Sequence, residues 1–345
     1  MSRHVPQVVA DLHPGYGALL MATGIVSTGF HLFGWHVLSD IFLVLAFIAF
    51  ALLLAGYVWR SVALPGRVLA DALDPGRGFG YFTLVAGPNV VGMRLALDGH
   101  VLATAVIAAA TVPVWITVTL FVPGSMVMGH RDEAVLSRTN GSWFMWVVGT
   151  QSLAGATAVV AAGIPDLTAA LAPLAVAFWG IGVVLYLMLV GLVTVRLLDA
   201  PVSPHTLSPT YWVYMGATAI SVLAAAAILA LPARLPVLAV TGYVISGLAY
   251  LLWAFGTWWI PLLLAFGVWR HLRGETVGYH PTFWSMVFPL GMYAAASADF
   301  GRAAGLGFMT DIARVEVWIG FAAWVAVAAA MGRSFALPRR QGAPT

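Results

Sequence analysis

Residues 41–59 read IFLVLAFIAFALLLAGYVW, nineteen positions without a charge. A hydrocarbon core about 30 Å thick takes about 20 apolar helical residues to cross. This stretch therefore predicts a membrane-spanning helix, and the rest of the chain repeats its character. Of 345 residues, 61% are hydrophobic and only 8% are charged, against ~25% charged in an ordinary soluble domain. Mean hydropathy is +0.94. A soluble fold cannot hide that much apolar surface beneath so few polar groups. The composition excludes a soluble enzyme, a nucleic-acid binder and a disordered scaffold, and it predicts an all-α integral membrane protein.

Working outward, ten stretches are long and apolar enough to be spans: 16–35, 41–59, 79–96, 101–121, 142–162, 169–195, 211–230, 237–264, 282–299 and 315–332. Residues 1–15 carry Arg3, His4, Asp11 and His13 but no apolar core. The first run is thus read as a retained span and not as a cleaved signal. Short connections follow the odd spans (36–40, 97–100, 163–168, 231–236 and the longer 301–311). Long ones follow the even spans (60–78, 128–141, 197–210 and 270–281). Five helical hairpins result.

Arginine placement predicts orientation. All sixteen basic residues are arginine, and net charge is only +3. Arg3, Arg60, Arg67, Arg77, Arg131, Arg138, Arg196, Arg270, Arg273, Arg333, Arg339 and Arg340 fall at the termini or long connections; only Arg94, Arg234, Arg302 and Arg314 fall on the other face. Both termini are expected in the cytoplasm. The predicted organisation is a short N-terminus (1–15), one ten-helix domain (16–335) and a short tail (336–345).

The odd spans resemble one another. Each opens on an aromatic and then turns small and polar: Tyr16 before MATGIVS, Tyr81-Phe82 before VAGPN, Trp143-Phe144 before VVGTQS, Tyr211-Trp212 before YMGATAIS, and Phe283-Trp284 before VFPLG. The first aromatics lie 65, 62, 68 and 72 residues apart, the mark of a repeated unit. The even spans are rich in Leu, Val and Ala, which suits lipid. Five inner helices ringed by five apolar ones describe a central pathway.

Candidate pathway residues are Thr23, Ser27, Gly87, Asn89, Gly149, Thr150, Gln151, Gly216, Thr218 and Pro289. Two readings of them stand side by side. Small residues and hydroxyls let membrane helices pack closely and bond across the seam; the same groups can line a polar path. Pro88 and Pro289 kink their helices and free backbone groups either for packing or for a wet cavity. Arg94, near the end of span 3, either snorkels to the interface or attracts anions at the outer mouth. No chain of buried carboxylates is evident. Asp299, His31 and Glu316 are the groups that could titrate near a path.

No catalytic or cofactor motif is present. There is no cysteine, hence no thiolate site. His271 and His280 flank a connection holding Glu275, but no spacing matches a zinc signature. An intramembrane enzyme would need a clustered nucleophile, base or metal set, and none is visible. No metal, cofactor or nucleic acid is expected.

The stretches MATGIVSTGFHLFG (21–34), YFTLVAGPNVVGMRL (81–95), GSWFMWVVGTQSLA (141–154), YWVYMGATAIS (211–221), TWWIPLLLAFGVWRH (257–271) and FWSMVFPLGMYAAAS (283–297) resemble the tellurite-resistance/dicarboxylate transporter (TDT) family. That family holds TehA-like bacterial proteins, fungal malate and sulfite transporters and the slow-type anion channels of plant guard cells. The resemblance spans nearly the whole chain. Many relatives have Gly where Ala22 stands, a mild change. The resemblance implies ten helices in five hairpins around a pseudo-fivefold central pore, assembled as homotrimers in the plasma (inner) membrane. It implies a pore occluded by a phenylalanine on the ninth helix, which matches Phe288 beside Pro289. On the residues alone, Phe288 reads as a core or lipid-facing side chain. The implied substrates are small anions: halide or nitrate, malate-like dicarboxylates, sulfite or tellurite. A proton-coupled dicarboxylate carrier of the same fold is the alternative. The short tails imply that the phosphorylated extensions of the plant channels are missing.

Overall fold

The computed structural model describes residues 5–129, 135–199, 201, 203, 206–273 and 278–336. Arg3, His4, Arg131, Glu275, Arg339 and Arg340, which entered the sequence reading, lie outside the described residues. Among the described residues all regular structure is helical. Ten long helices dominate: α1 (Gly17–Leu32), α2 (His36–Ala63), α3 (Thr83–Leu97), α4 (Val101–Met128), α5 (Met145–Gly163), α6 (Thr168–Asp199), α7 (Val213–Leu229), α8 (Pro236–Leu272), α9 (Trp284–Ala304) and α10 (Gly307–Ala336).

Seven of them, α2, α4, α5, α6, α7, α8 and α10, are long and apolar enough to cross a membrane, three of these with their leading turns counted. The chain is an all-helical, multi-pass membrane protein. The other three fall short for visible reasons. They are less apolar: α1 carries Thr23, Ser27, Thr28 and His31, α3 carries Pro88, Asn89 and Arg94, and α9 carries Pro289, Asp299 and Arg302.

Two layers form. Helices α1, α3, α5, α7 and α9 each pack on the next in that order, and α9 packs back on α1, so the inner contacts close into a ring. Each inner helix also packs on the long helix that follows it. Inner helices are largely buried, whereas few residues of α2, α4 and α10 are. What the outer helices expose is apolar, including Leu52, Val62, Leu102, Val184 and Val240. Such a band belongs against hydrocarbon and not against water.

The connections follow from local chemistry. Gly34, Gly99 and Gly305 have φ of 80°, 85° and 69°, which only glycine adopts without strain. Gly305 therefore turns the chain in two residues between α9 and α10, where the sequence predicted an eleven-residue connection over 301–311. Between α2 and α3 lies a short helix, Pro65–Leu73, that hydropathy did not predict. Pro65 starts it, a position where the missing N–H costs nothing. It carries Asp71 inward to Arg60, at 2.6 Å, and Arg77, at 3.0 Å.

A short 3₁₀ turn leads into every inner helix: Pro14–Tyr16, Gly78–Phe82, Gly141–Phe144, Pro209–Trp212 and Pro281–Phe283. These turns also pack on one another in sequence, the last on the first. Their close approach needs glycine. A methyl group on Gly80 would sit 2.9 Å from the Gly15 backbone nitrogen, and one on Gly141 would meet the Thr210 backbone.

Candidate functional site

The centre of this second ring is a cavity. It is lined by Gly15, Gly80, Ser142, Thr210 and Thr282, one residue from each turn, with His13, Arg77, Met145 and Ser285 beside them. Each of the five turn residues immediately precedes the first aromatic of its repeat: Tyr16, Tyr81, Trp143, Tyr211 or Phe283. The repeat read from the sequence is thus a repeat in space, and the position before the aromatic was its unread signal.

Several lining groups are tied to their own turn. His13 Nδ1 accepts from the Gly15 N–H at 2.9 Å. Thr282 Oγ1 lies 2.9 Å from His280 Nδ1, and Thr210 Oγ1 lies 2.6 Å from Ser208 Oγ. Asn140 Oδ1 caps the Ser142 N–H at 2.8 Å. The Ser142 hydroxyl itself is buried without a partner. The rings of His13 and His280 meet edge to face, 6.3 Å apart. Burial, then the Arg77 charge, lowers the His13 pKa to about 3; the same two causes lower that of His280. Both imidazoles are neutral at pH 7.

Phe288 is fully buried. It stands one turn beyond Ser285 on α9, so the two share a helix face, and that face reaches the cavity at Ser285. Pro289 presses on α7: a methyl on Gly216 would lie 2.7 Å from Pro289 Cγ.

The other residues nominated from sequence do something different. Thr23 and Thr150 accept indole N–H bonds from Trp324 and Trp115 of outer helices, at 3.0 and 2.9 Å. Asn89 donates to Thr111 Oγ1 on α4 at 2.9 Å, and Gln151 to the Trp179 carbonyl on α6 at 3.1 Å. Thr218 donates to the Met215 carbonyl at 2.7 Å, with Gly256 of α8 against its hydroxyl. Ser27 and Ser39 exchange hydroxyl-to-carbonyl bonds of 2.7 and 2.8 Å between α1 and α2. Gly87 and Gly149 are close-packing points: a methyl would come within 2.9 Å of Leu20 and 3.0 Å of Phe82. Of the two readings offered for small polar residues, packing accounts for the bonds these side chains make.

The bonds form a repeated lock. Trp115, Trp179, Trp253 and Trp324, on α4, α6, α8 and α10, donate to Thr150, the Ser221 carbonyl, Ser297 and Thr23 on the inner helix next around the ring. At the remaining seam, between α2 and α3, the lock is Arg94. Its side chain is 0% exposed, so it does not snorkel. Nε donates to Ser27 and Ser39 at 3.1 and 2.9 Å, and the guanidinium pairs with Asp98 at 2.7 Å and Asp40 at 3.4 Å. Its charge is spent inside the fold. Asp98, four residues on, was the legible clue.

Of the titratable groups weighed for coupling, Asp299 pairs with Arg302 at 3.0 Å and His31 lies 3.5 Å from Asp98. Glu316 Oε2 is buried without a partner.

A family model described as "Voltage-dependent anion channel" (SLAC1) matches residues 11–331. The chain belongs to that family. As a voltage-dependent anion channel family member it is a transport protein and not an enzyme. The chain is also similar to an uncharacterized membrane protein of Mycobacterium tuberculosis, 43% identical over 148 residues (43% of this chain, 75% of the relative). Two uncharacterized transporters of Methanocaldococcus jannaschii match more of it. One is 24% identical over 84% of both chains; the other is 23% identical over 92% of this chain and 93% of its own. Family members of this kind work on anions in a bilayer, which suits a ring of buried helices inside an apolar sheath.

Proposed function

We propose that this protein passes small anions along the axis of its inner helix ring, and that Phe288 closes the path. One observation carries this: five buried helices pack in a closed ring around a cavity built from their leading turns, and Phe288 stands one turn behind that cavity. A bulky ring at a narrow point blocks an ion both sterically and by excluding water.

In this reading all ten helices cross the inner membrane as five hairpins with pseudo-fivefold symmetry, forming one domain over 16–335. The short inner helices cross because the outer ones shield them from lipid. Both termini face the cytoplasm, and three copies assemble with one path each. Thr23, Ser27, Asn89, Thr150, Gln151 and Thr218 hold the wall together. Gly87, Gly149, Gly216 and Pro289 set how closely it draws in, and Arg94 secures one seam. The path has no fixed carboxylate chain, so passage is passive. Halide and nitrate are the expected substrates, followed by malate-like dicarboxylates, sulfite and tellurite.

The test is anion flux into proteoliposomes for the parent and Phe288→Ala, with chloride, nitrate, malate and sulfite, with and without a pH gradient. A large, pH-independent rise in the variant supports a Phe-gated passive path and ranks the anions. No rise, with malate uptake by the parent driven by the pH gradient, overturns it in favour of a proton-coupled carrier.

A further inference from the structure

We propose that the cavity enclosed by the five leading turns is a binding site for one small monovalent anion, of the halide or nitrate class. The proposal rests on the path described above and adds a station on it, at the N-terminal mouth.

Four features point the same way. First, five inner helices begin around this cavity, at Gly17, Thr83, Met145, Val213 and Trp284. Helix N-termini carry partial positive charge, which favours an anion. Second, the side-chain groups lining it are suited to donate. Ser142, Thr210, Thr282 and Ser285 bring hydroxyls, and among the described residues no carboxylate lines it. Third, the Ser142 hydroxyl has no partner among the described residues although the residue is only 8% exposed. A buried unpaired hydroxyl is costly, and an anion in the cavity would accept its proton. Fourth, the local charge balance is positive. Asp71 answers two guanidinium groups, Arg60 and Arg77. Arg77 borders the cavity, and its Nε is buried with no hydrogen-bond partner.

The size of the site sets the ligand class. The cavity volume is about 20 Å³, little more than the ~10–15 Å³ that holds one water on that measure. That admits a halide or a small planar anion as the resident ligand, and a dicarboxylate is too large to rest there. The ligands are hydroxyls and dipoles, with the nearest full charge shared with Asp71, so binding is weak enough for an ion to leave again.

The experiment uses the purified full-length protein with Phe288 intact, so binding is read without transport. Crystals equilibrated with bromide locate the ion by anomalous scattering. Thermal unfolding titrated with bromide or nitrate, against gluconate, reads the affinity. The expected result is an anomalous peak within hydrogen-bond reach of Ser142 Oγ and a saturable rise in unfolding temperature. Ser142→Ala, which deletes only an unpaired hydroxyl, should weaken bromide binding about tenfold, the effect of one hydrogen bond to a charged group. Ser285→Ala should weaken it as well. No peak in the cavity, or unchanged bromide affinity in both variants, overturns the site. The two proposals separate cleanly. Bromide at Ser142 without conduction in Phe288→Ala keeps the site and removes the gate. Conduction in Phe288→Ala without bromide at Ser142 does the reverse.

Discussion

The indole N–H of Trp324 donates to the hydroxyl of Thr23 across 3.0 Å, joining the last outer helix to the first inner one over 301 residues of chain. Thr23 donates its own O–H to the Leu19 carbonyl at 2.8 Å, so its proton and one lone pair are both engaged within the wall. The bond does at the chain's two ends what Trp115, Trp179 and Trp253 do within it, and with them and Arg94 it closes the ring. In hydrocarbon, where apolar faces gain little by meeting each other, such bonds and close packing are what hold helices together.

Trp324→Phe keeps the ring and removes the donor. Its unfolding in detergent should show a loss of about 0.6–1.5 kcal/mol. Thr23→Val should lose a similar amount, and the double variant little more than either alone. Strictly additive losses would mean that the two side chains do not interact.

Gly216→Ala should cost more than Gly87→Ala. The new methyl meets the rigid Pro289 ring at 2.7 Å in the first case and the flexible end of Leu20 at 2.9 Å in the second. Overpacking against a side chain that cannot rotate away costs about 1–3 kcal/mol. Thermal midpoints of the two variants decide the order; a milder Gly216→Ala would count against this packing.

Asp98→Asn should destabilise more than Arg94→Met. Removing Asp98 leaves a fully buried guanidinium with Asp40 at 3.4 Å as its nearest charge, and stranding a buried charge costs about 3 kcal/mol or more. Removing Arg94 leaves only carboxylates that still reach water, since Asp98 is 31% and Asp40 68% exposed. Denaturant titration of the two variants gives the ranking, and the opposite order would show that Asp98 is dispensable.

Stability should fall with acid through His13. Its pKa is about 3 when folded, depressed by burial and then by Arg77, against 6.5 when unfolded. The unfolded chain therefore takes up the extra proton between these values. The contribution is complete above pH 6.5 and is lost progressively from there down to about pH 3. His13→Asn keeps a side-chain acceptor for the Gly15 N–H and removes the titration. The drop in unfolding temperature between pH 7 and 4 should be smaller in the variant; equal drops would exclude His13.

Most of the helix layout was legible in the sequence. Predicted spans such as 101–121 and 142–162 fall within or beside α4 and α5. Hydropathy is a property of one segment at a time, and so is the contrast between an apolar outer helix and a small, polar inner one. The aromatic repeat was legible for the same reason. What each polar side chain meets was not. Thr150 and Ser142 belong to one motif, yet Thr150 is bound to Trp115 while Ser142 borders the cavity with a free hydroxyl. Arg94 reads as an end-of-span cation and is instead a buried lock. Composition and periodicity alone determined a membrane protein of alternating outer and inner helices. Only the tertiary structure decided which faces of the inner helices turn to their neighbours and which turn to the centre. A helix's rotation about its own axis is set by partners far away in the chain, as Trp324 is from Thr23.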